Sequence, residues 1–279
     1  MPYFAGLSKR TGARENRSMH KRLVVILMLA GVPGLLSITG CAQPEPEPQI
    51  VTSPAQQPTV TLPTQHLIAG RSAENRPILY QVFGTGPDVV LIIATIHGNE
   101  SAGTTLVRRL AQQLEERPQL PSGRTVVVIP VANPDGMAYS TRYNANGVDL
   151  NRNFNTANRI NDAVCGRSPL SEPEARVLEG LIRQYRPDRI VSIHQPLACI
   201  DYDGPGQSLA SRMAQYCDLP IKKLGAKPGS LGSYAGVRLA IPIITLEMRQ
   251  SDSYLSTDAL WQRYGNALLA AVVYPNDPQ

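Results

Sequence analysis

Val89-Val-Leu-Ile-Ile-Ala-Thr-Ile-His-Gly-Asn-Glu100 is the stretch on which the fold turns. Every residue from Val89 to Ile93 is apolar. A run without polar alternation suits a strand covered on both faces, as in the middle of a parallel sheet. The strand expected over Val89–Ile96 ends at His97, so a chemically versatile side chain stands where a buried strand stops. Further strands are expected over Ile78–Val82, Thr125–Val131, Arg189–Ile193, Pro220–Leu224 and Pro242–Leu246. Helical periodicity fills the intervals at roughly 101–117, 171–186, 207–217, 232–240 and 256–273. Ser171 with Glu174 three residues on reads as a capping box, and Pro173 suits the first helical turn. Strands alternating with helices imply an α/β domain over residues 66–279, its sheet covered on both faces.

In such sheets, ligands sit beyond the carboxyl ends of the strands. Four apolar runs end there in polar residues: His97, Asn133-Pro-Asp-Gly136, His194 in Ser-Ile-His-Gln-Pro-Leu (192–197), and Glu247 in Ile-Thr-Leu-Glu-Met (244–248). His97, Glu100 and His194 supply two imidazoles and a carboxylate, a ligand set that holds catalytic zinc and leaves a fourth position open. Glu247 is placed to serve as a general base. Taken singly, each has a plainer use. His97 and Glu100 suit a helix start, with the acid facing the dipole, and a lone histidine behind an apolar strand is ordinarily a satisfied core residue. His66 has no comparable context.

Between these segments lies Arg142-Tyr-Asn-Ala-Asn-Gly-Val-Asp-Leu-Asn-Arg-Asn-Phe154, unusually rich in Asn and Arg. Asn and Gly make turns and Arg solvates surfaces. Yet this string, with Asn133–Gly136 before it and Ser171-Glu-Pro-Glu-Ala175, Ser192–His194 and Thr245–Glu247 after it, resembles the zinc metallocarboxypeptidase superfamily over roughly residues 88–250. Within that superfamily, Pro196–Asp201 and Pro228–Ser233 are most similar to the murein peptide amidase A group. The resemblance implies a mixed, mostly parallel sheet with helices on both faces. It implies one zinc per chain held by His97, Glu100 and His194, with Asp149 orienting a ligand imidazole. It also implies Arg142 at the oxyanion, Asn151 and Arg152 gripping the substrate's terminal carboxylate, and Glu247 as general base.

One feature departs from the pattern. Many protein-digesting members carry a mobile Tyr just before the Gly-Ser that corresponds here to Gly229-Ser230. Lys222-Lys-Leu-Gly-Ala-Lys-Pro228 has none, and Tyr234 falls beyond it, where it is expected to pack on a helix. The resemblance therefore implies hydrolysis of the γ-D-glutamyl–meso-diaminopimelate bond of murein peptides. The alternatives are a carboxypeptidase for ordinary peptide C-termini or another wall bond, and a catalytically silent lipoprotein that binds wall peptides. A binding module would have no use for Glu247.

The N-terminal part reads as an address. His20-Lys-Arg22 precedes the apolar run Leu23–Thr39, which ends in Leu36-Ser-Ile-Thr-Gly-Cys41. A basic start and a short apolar core make a signal peptide over residues 1–40, with Met19 a better start than Met1. A spanning helix needs about 20 apolar residues, and this run is broken by Pro33 and two glycines. The small pair Thr39-Gly40 before Cys41 resembles a bacterial lipobox, which would leave Cys41 lipidated. Residues 41–65 are Pro-rich and suit an extended tether. The expected location is the envelope, lipid-anchored, facing the periplasm from the outer membrane if the cell is Gram-negative. The formal charge of +5 belongs to the leader: residues 1–40 hold six basic and one acidic residue of totals of 27 and 22, leaving 21 of each. Nothing in that balance points to nucleic acid. Beyond Cys41, the cysteines at 165, 199 and 217 suffice for one disulfide and a spare thiol.

Overall fold

The computed structural model describes residues 66–276. The leader, Cys41 and the tether lie outside the described residues. In chain order the elements are β1 (Leu67–Arg71), β2 (Pro77–Phe83), β3 (Asp88–Ala94), α1 (Ala102–Glu116), β4 (Arg124–Ile129), α2 (Pro134–Ala138) and a 3-10 turn at Leu150–Arg152. Then follow α3 (Pro173–Tyr185), β5 (Arg189–His194), β6 (Leu197–Asp203), α4 (Gln207–Ala214), a π-helix at Gly232–Arg238, β7 (Ile243–Arg249), a 3-10 turn at Gln250–Tyr254 and α5 (Thr257–Val273). The strands order as β1-β2-β4-β3-β5-β7-β6. The inner four, β4, β3, β5 and β7, are parallel. The flanking strands β1, β2 and β6 pair antiparallel.

Side-chain alternation divides the core between the two faces of the sheet. Val90, Ile92, Val191, Ile193 and Leu246 face one way, onto Leu106 and Leu110 of α1, Met213 of α4 and Leu268 of α5. Leu91, Ile93, Ile190 and Ile243 face the other way, onto Leu178 and Ile182 of α3 and Ala235 of the π-helix. Each such side chain, fully withdrawn from water, contributes roughly 1.5–3 kcal/mol. Arg189 is buried at the foot of β5. It donates to both carboxylate oxygens of Asp88 and to the carbonyls of Ala271 and Val272, closing the end of α5 onto the sheet.

Three sequence expectations change. Pro220–Leu224 is not a strand and makes one isolated bridge, Ile221 to Ile200. Pro220 has no N–H to give, and the Leu224 N–H goes to the Asp201 side chain, not to a ladder. The strand in that region is β6. The capping box at Ser171 and Glu174 does not form: Glu172 is the N-cap, without a side-chain cap bond. The Glu174 carboxylate instead accepts from the Ala73 N–H and from Asn144. Finally, Cys165, Cys199 and Cys217 are all free thiols.

Candidate active site

His97 owes its aim to the turn after β3. Thr95 adopts φ 55°, a left-handed conformation that a β-branched residue rarely takes. It is held there because its carbonyl accepts from the Asn133 N–H and its hydroxyl meets that of Thr104 at 2.6 Å. His194 is the last residue of β5, so a buried strand fixes its backbone. Glu100 lies in the turn leading into α1, its N–H bonded to the His97 carbonyl.

The three side chains converge. His97 Nδ1 is 2.8 Å from Glu100 Oε1, His194 Nδ1 is 2.9 Å from Glu100 Oε2, and the two Nδ1 atoms are 3.1 Å apart. All three residues are buried, and one ligand atom from each falls within 4.8 Å of the others. The outer nitrogens have separate partners. Asp149 Oδ1 lies 3.1 Å from His97 Nε2, and Ser192 Oγ lies 3.0 Å from His194 Nε2. A proton on His97 Nε2, donated to Asp149, leaves Nδ1 as a lone pair. Two imidazole lone pairs and a carboxylate aimed at one point repel unless a cation lies among them. This donor set fits zinc better than calcium or magnesium, which prefer oxygen.

Asp149 does more than face His97. Its Oδ2 accepts from Arg142 Nε at 3.0 Å, and its Oδ1 caps the 3-10 turn through the Asn151 N–H at 2.9 Å. Arg142 also reaches Glu100, at 3.4 Å. Burial alone would raise the carboxyls of Glu100 and Asp149. His194 and His97 around Glu100, and His97 with Arg142 beside Asp149, instead hold both well below the ordinary range. Burial pushes the Glu247 carboxyl up, with His194 opposing. Glu247 Oε2 accepts the Leu197 N–H at 3.3 Å.

These groups open into a cleft of about 210 Å³ that also presents Arg142, Asn151 and Arg152. The Asn151 side-chain oxygen Oδ1 accepts the Leu231 N–H at 2.8 Å, which ties the 3-10 turn to the segment after Gly229. Gly229, at φ 66°, lies so close to Arg152 that a Cβ would come within 2.1 Å of the Arg152 carbonyl oxygen. A larger groove, about 650 Å³, is lined by Tyr80, Arg108 and Met137 among others and contains none of the candidate ligands or Glu247.

His97, Glu100, His194, Glu247, Arg142, Asn151 and Arg152 all line the smaller cleft, with Asp149 directly behind His97. Asn133–Gly136 does not join them. Asp135 is fully buried and binds Ser72 and the Glu74 N–H, so that segment anchors the β1–β2 hairpin. Within the Asn-rich string, Asn144 and Asn153 serve the loop, accepting and donating at Val148, Glu172 and Cys165. Sequence reasoning missed Ser192 and the acids Asp201 and Asp203, which line the same cleft. The period of two from His194 back to Ser192 was the available signal. Tyr234 stacks on Phe154 and donates to Glu179 of α3, away from the cleft.

An α/β sheet with two imidazoles and a carboxylate gathered beyond its strand ends, in an arrangement that could hold a metal ion, is the frame of a metallohydrolase. The chain belongs to the zinc carboxypeptidase family, whose pattern matches residues 60–217. It is 34% identical over 220 residues to murein peptide amidase A of Escherichia coli (strain K12), covering 72% of this chain and 86% of that one. It is 31% identical over 229 residues to murein peptide amidase A of Vibrio campbellii, covering 75% and 87%. Among solved structures, the murein-tripeptide amidase of Escherichia coli O157 superposes with TM-score 0.64 at 30% identity, covering 77% of this chain and 93% of that one. Carboxypeptidase A of Helicoverpa armigera shares the fold, with TM-score 0.63 at 22% identity over 76% and 69% of the two chains.

Proposed function

We propose that this zinc-family hydrolase cleaves the γ-D-glutamyl–meso-diaminopimelate bond of murein peptides. The observation that carries the reading is the pairing of His194 with Glu247 on adjacent parallel strands, facing one cleft with Arg142 and Arg152. The similarity to two murein peptide amidases over most of their length favours a wall peptide as substrate. So does the cleft lining, which includes no tyrosine.

His97, Glu100 and His194 are the residues to hold one zinc. A zinc bound there supplies Lewis acidity, lowering the pKa of water to about 7 and polarising the amide carbonyl. Glu247 has one oxygen on the Leu197 N–H and the other free for a water proton. It accepts that proton as water attacks the amide carbon, then delivers it to the leaving nitrogen. Arg142, steadied by Asp149, presents its guanidinium to the developing negative oxygen. Arg152 grips the terminal carboxylate with parallel N–H donors, and Asn151 supports it. The deciding experiment incubates the zinc-loaded protein with murein tripeptide and with L-amino-acid peptides and identifies the products by mass spectrometry. Release of diaminopimelate from the tripeptide alone is expected; cleavage of the L-peptides alone would favour the ordinary carboxypeptidase.

The site of action follows from the address read at Cys41. A lipidated Cys41 and a Pro-rich tether would hold the domain at an envelope membrane, within reach of wall peptides.

A further inference from the structure

Gln195 follows His194 directly and lines the cleft, yet no step of the mechanism uses it. It is 5% exposed. Its main chain and its side chain reach in different directions. The Gln195 N–H donates to Glu100 Oε2 at 3.1 Å. The side-chain Nε2 donates to the Arg249 carbonyl at 2.9 Å and to Ser253 Oγ at 3.1 Å. Both acceptors lie just past Glu247: Arg249 ends β7, and Ser253 belongs to the 3-10 turn that follows. Two residues after Gln195, the Leu197 N–H donates to Glu247 itself.

The end of the sheet gives these bonds their importance. The β5–β7 ladder stops at the His194–Glu247 rung. Beyond it the chain leaves β5 for β6, so the ladder gives the segment after Glu247 no further hold on the ligand strand. Gln195 supplies that hold. An amide nitrogen carries two donors, and both go to the stretch just past Glu247. The Gln195 Oε1 is enclosed and has no partner among the described residues. An enclosed acceptor without a donor costs stability, so packing alone would favour an apolar side chain of the same length. The two donated bonds are what a glutamine adds here.

We propose that Gln195 is a positioning residue that ties the strand bearing Glu247 to the ligand carboxylate of Glu100, and so sets the reach of Glu247 into the site. The assignment rests on the reading that Glu247 is the general base. A base must lie within hydrogen-bond reach of the proton it takes. A displacement of about 1 Å can cost about 10²-fold in rate. Gln195 thus acts through Glu247 and not on the reacting atoms.

The test uses the zinc-loaded full chain on murein tripeptide or, if that resists cleavage, on an L-amino-acid peptide that is cut. Gln195→Met keeps the length and the main-chain N–H and removes both side-chain donors. Its kcat should fall about 10–100-fold, with KM moving less than about threefold. Zinc content and the thermal unfolding midpoint should stay at wild-type values, which separates positioning from a general loss of structure. Ser253→Ala, which leaves the Arg249 bond in place, should keep kcat within about threefold of wild type. In a Glu247→Gln background, Gln195→Met should add less than about threefold, because a residue acting through the base has nothing left to position. If Gln195→Met does not fold, Gln195→Asn, whose amide stops one carbon short of Arg249, carries the same expectations. A kcat near wild type, a loss of zinc, a rise in KM alone, or a full loss repeated in the Glu247→Gln background overturns the positioning role. A Glu247→Gln enzyme with wild-type kcat instead overturns the base reading on which it rests.

Discussion

His194 and Glu247 occupy the same rung of the parallel β5–β7 ladder. Residues in register on neighbouring strands project to one face, so a candidate ligand and a candidate base are held side by side by backbone alone. Glu247→Gln keeps the shape and the Leu197 N–H bond and removes the base. It should lower kcat by about 10²–10⁴ while zinc content and substrate affinity stay at wild-type levels. Retention of more than about a tenth of wild-type kcat would exclude Glu247 as the base.

Asp149 is expected to act on metal affinity through His97. Asp149→Asn no longer fixes the imidazole with its proton on Nε2, and it loosens Arg142 as well. Zinc affinity, read by chelator competition, should fall about 10–100-fold. His194→Ala, which removes a ligand outright, should leave the purified protein without its full zinc content. Full occupancy in that variant would remove His194 from the ligand set.

Arg152 lines the same cleft, its Nη1 donating to the Asn151 main-chain carbonyl at 2.6 Å. A carboxylate grip is made in the ground state and the transition state alike. Arg152→Ala should therefore raise KM on the murein tripeptide about 10–100-fold with kcat changed only a few-fold. A matching fall in kcat with KM unaltered would place Arg152 in transition-state stabilisation instead.

The proposed lipid anchor at Cys41 is open to a direct test. Cys41→Ser removes the thiol that lipid would occupy, so the protein should move to the soluble fraction and keep its unprocessed leader. Membrane retention with normal processing would show that the apolar run itself is the anchor.

The central strands were legible in the sequence because they are buried on both faces; Val89–Ile93 has no polar residue to disguise it. The edges were not. β1 is half exposed, and β6, Leu-Ala-Cys-Ile-Asp-Tyr-Asp, has too short an apolar run, ending in two aspartates, to stand out as a strand. Asp201 and Asp203 were hidden for the same reason: on an edge strand an acid is ordinarily solvated, and here the π-helix lies against Asp203 while the segment at Leu224 closes on Asp201. The separate halves of the Asn-rich string were also beyond sequence. Asn151 and Asn153 are two residues apart, yet one faces the cleft and the other is buried beneath it, a division set by the 3-10 turn at Leu150–Arg152.

Asp135 offers a test of stability apart from the site. Its carboxylate accepts from Ser72 Oγ at 2.7 Å, the Glu74 N–H at 2.9 Å and Arg76 Nη1 at 2.6 Å, pinning the β1–β2 hairpin to α2. Burial would raise this carboxyl, but the donations from Ser72, Arg76 and Glu74 more than offset it and hold it below its ordinary value. A depressed carboxyl stabilises the fold above its unfolded pKa, near 4, and that stabilisation is lost as pH falls through the folded value. Asp135→Asn should thus cost about 1–3 kcal/mol at pH 7 in denaturant unfolding. The gap between wild type and variant should narrow below about pH 4 as the wild-type carboxylate takes up its proton. A gap that holds constant from pH 7 to pH 3 would mean that Asp135 acts through packing and not through its charge.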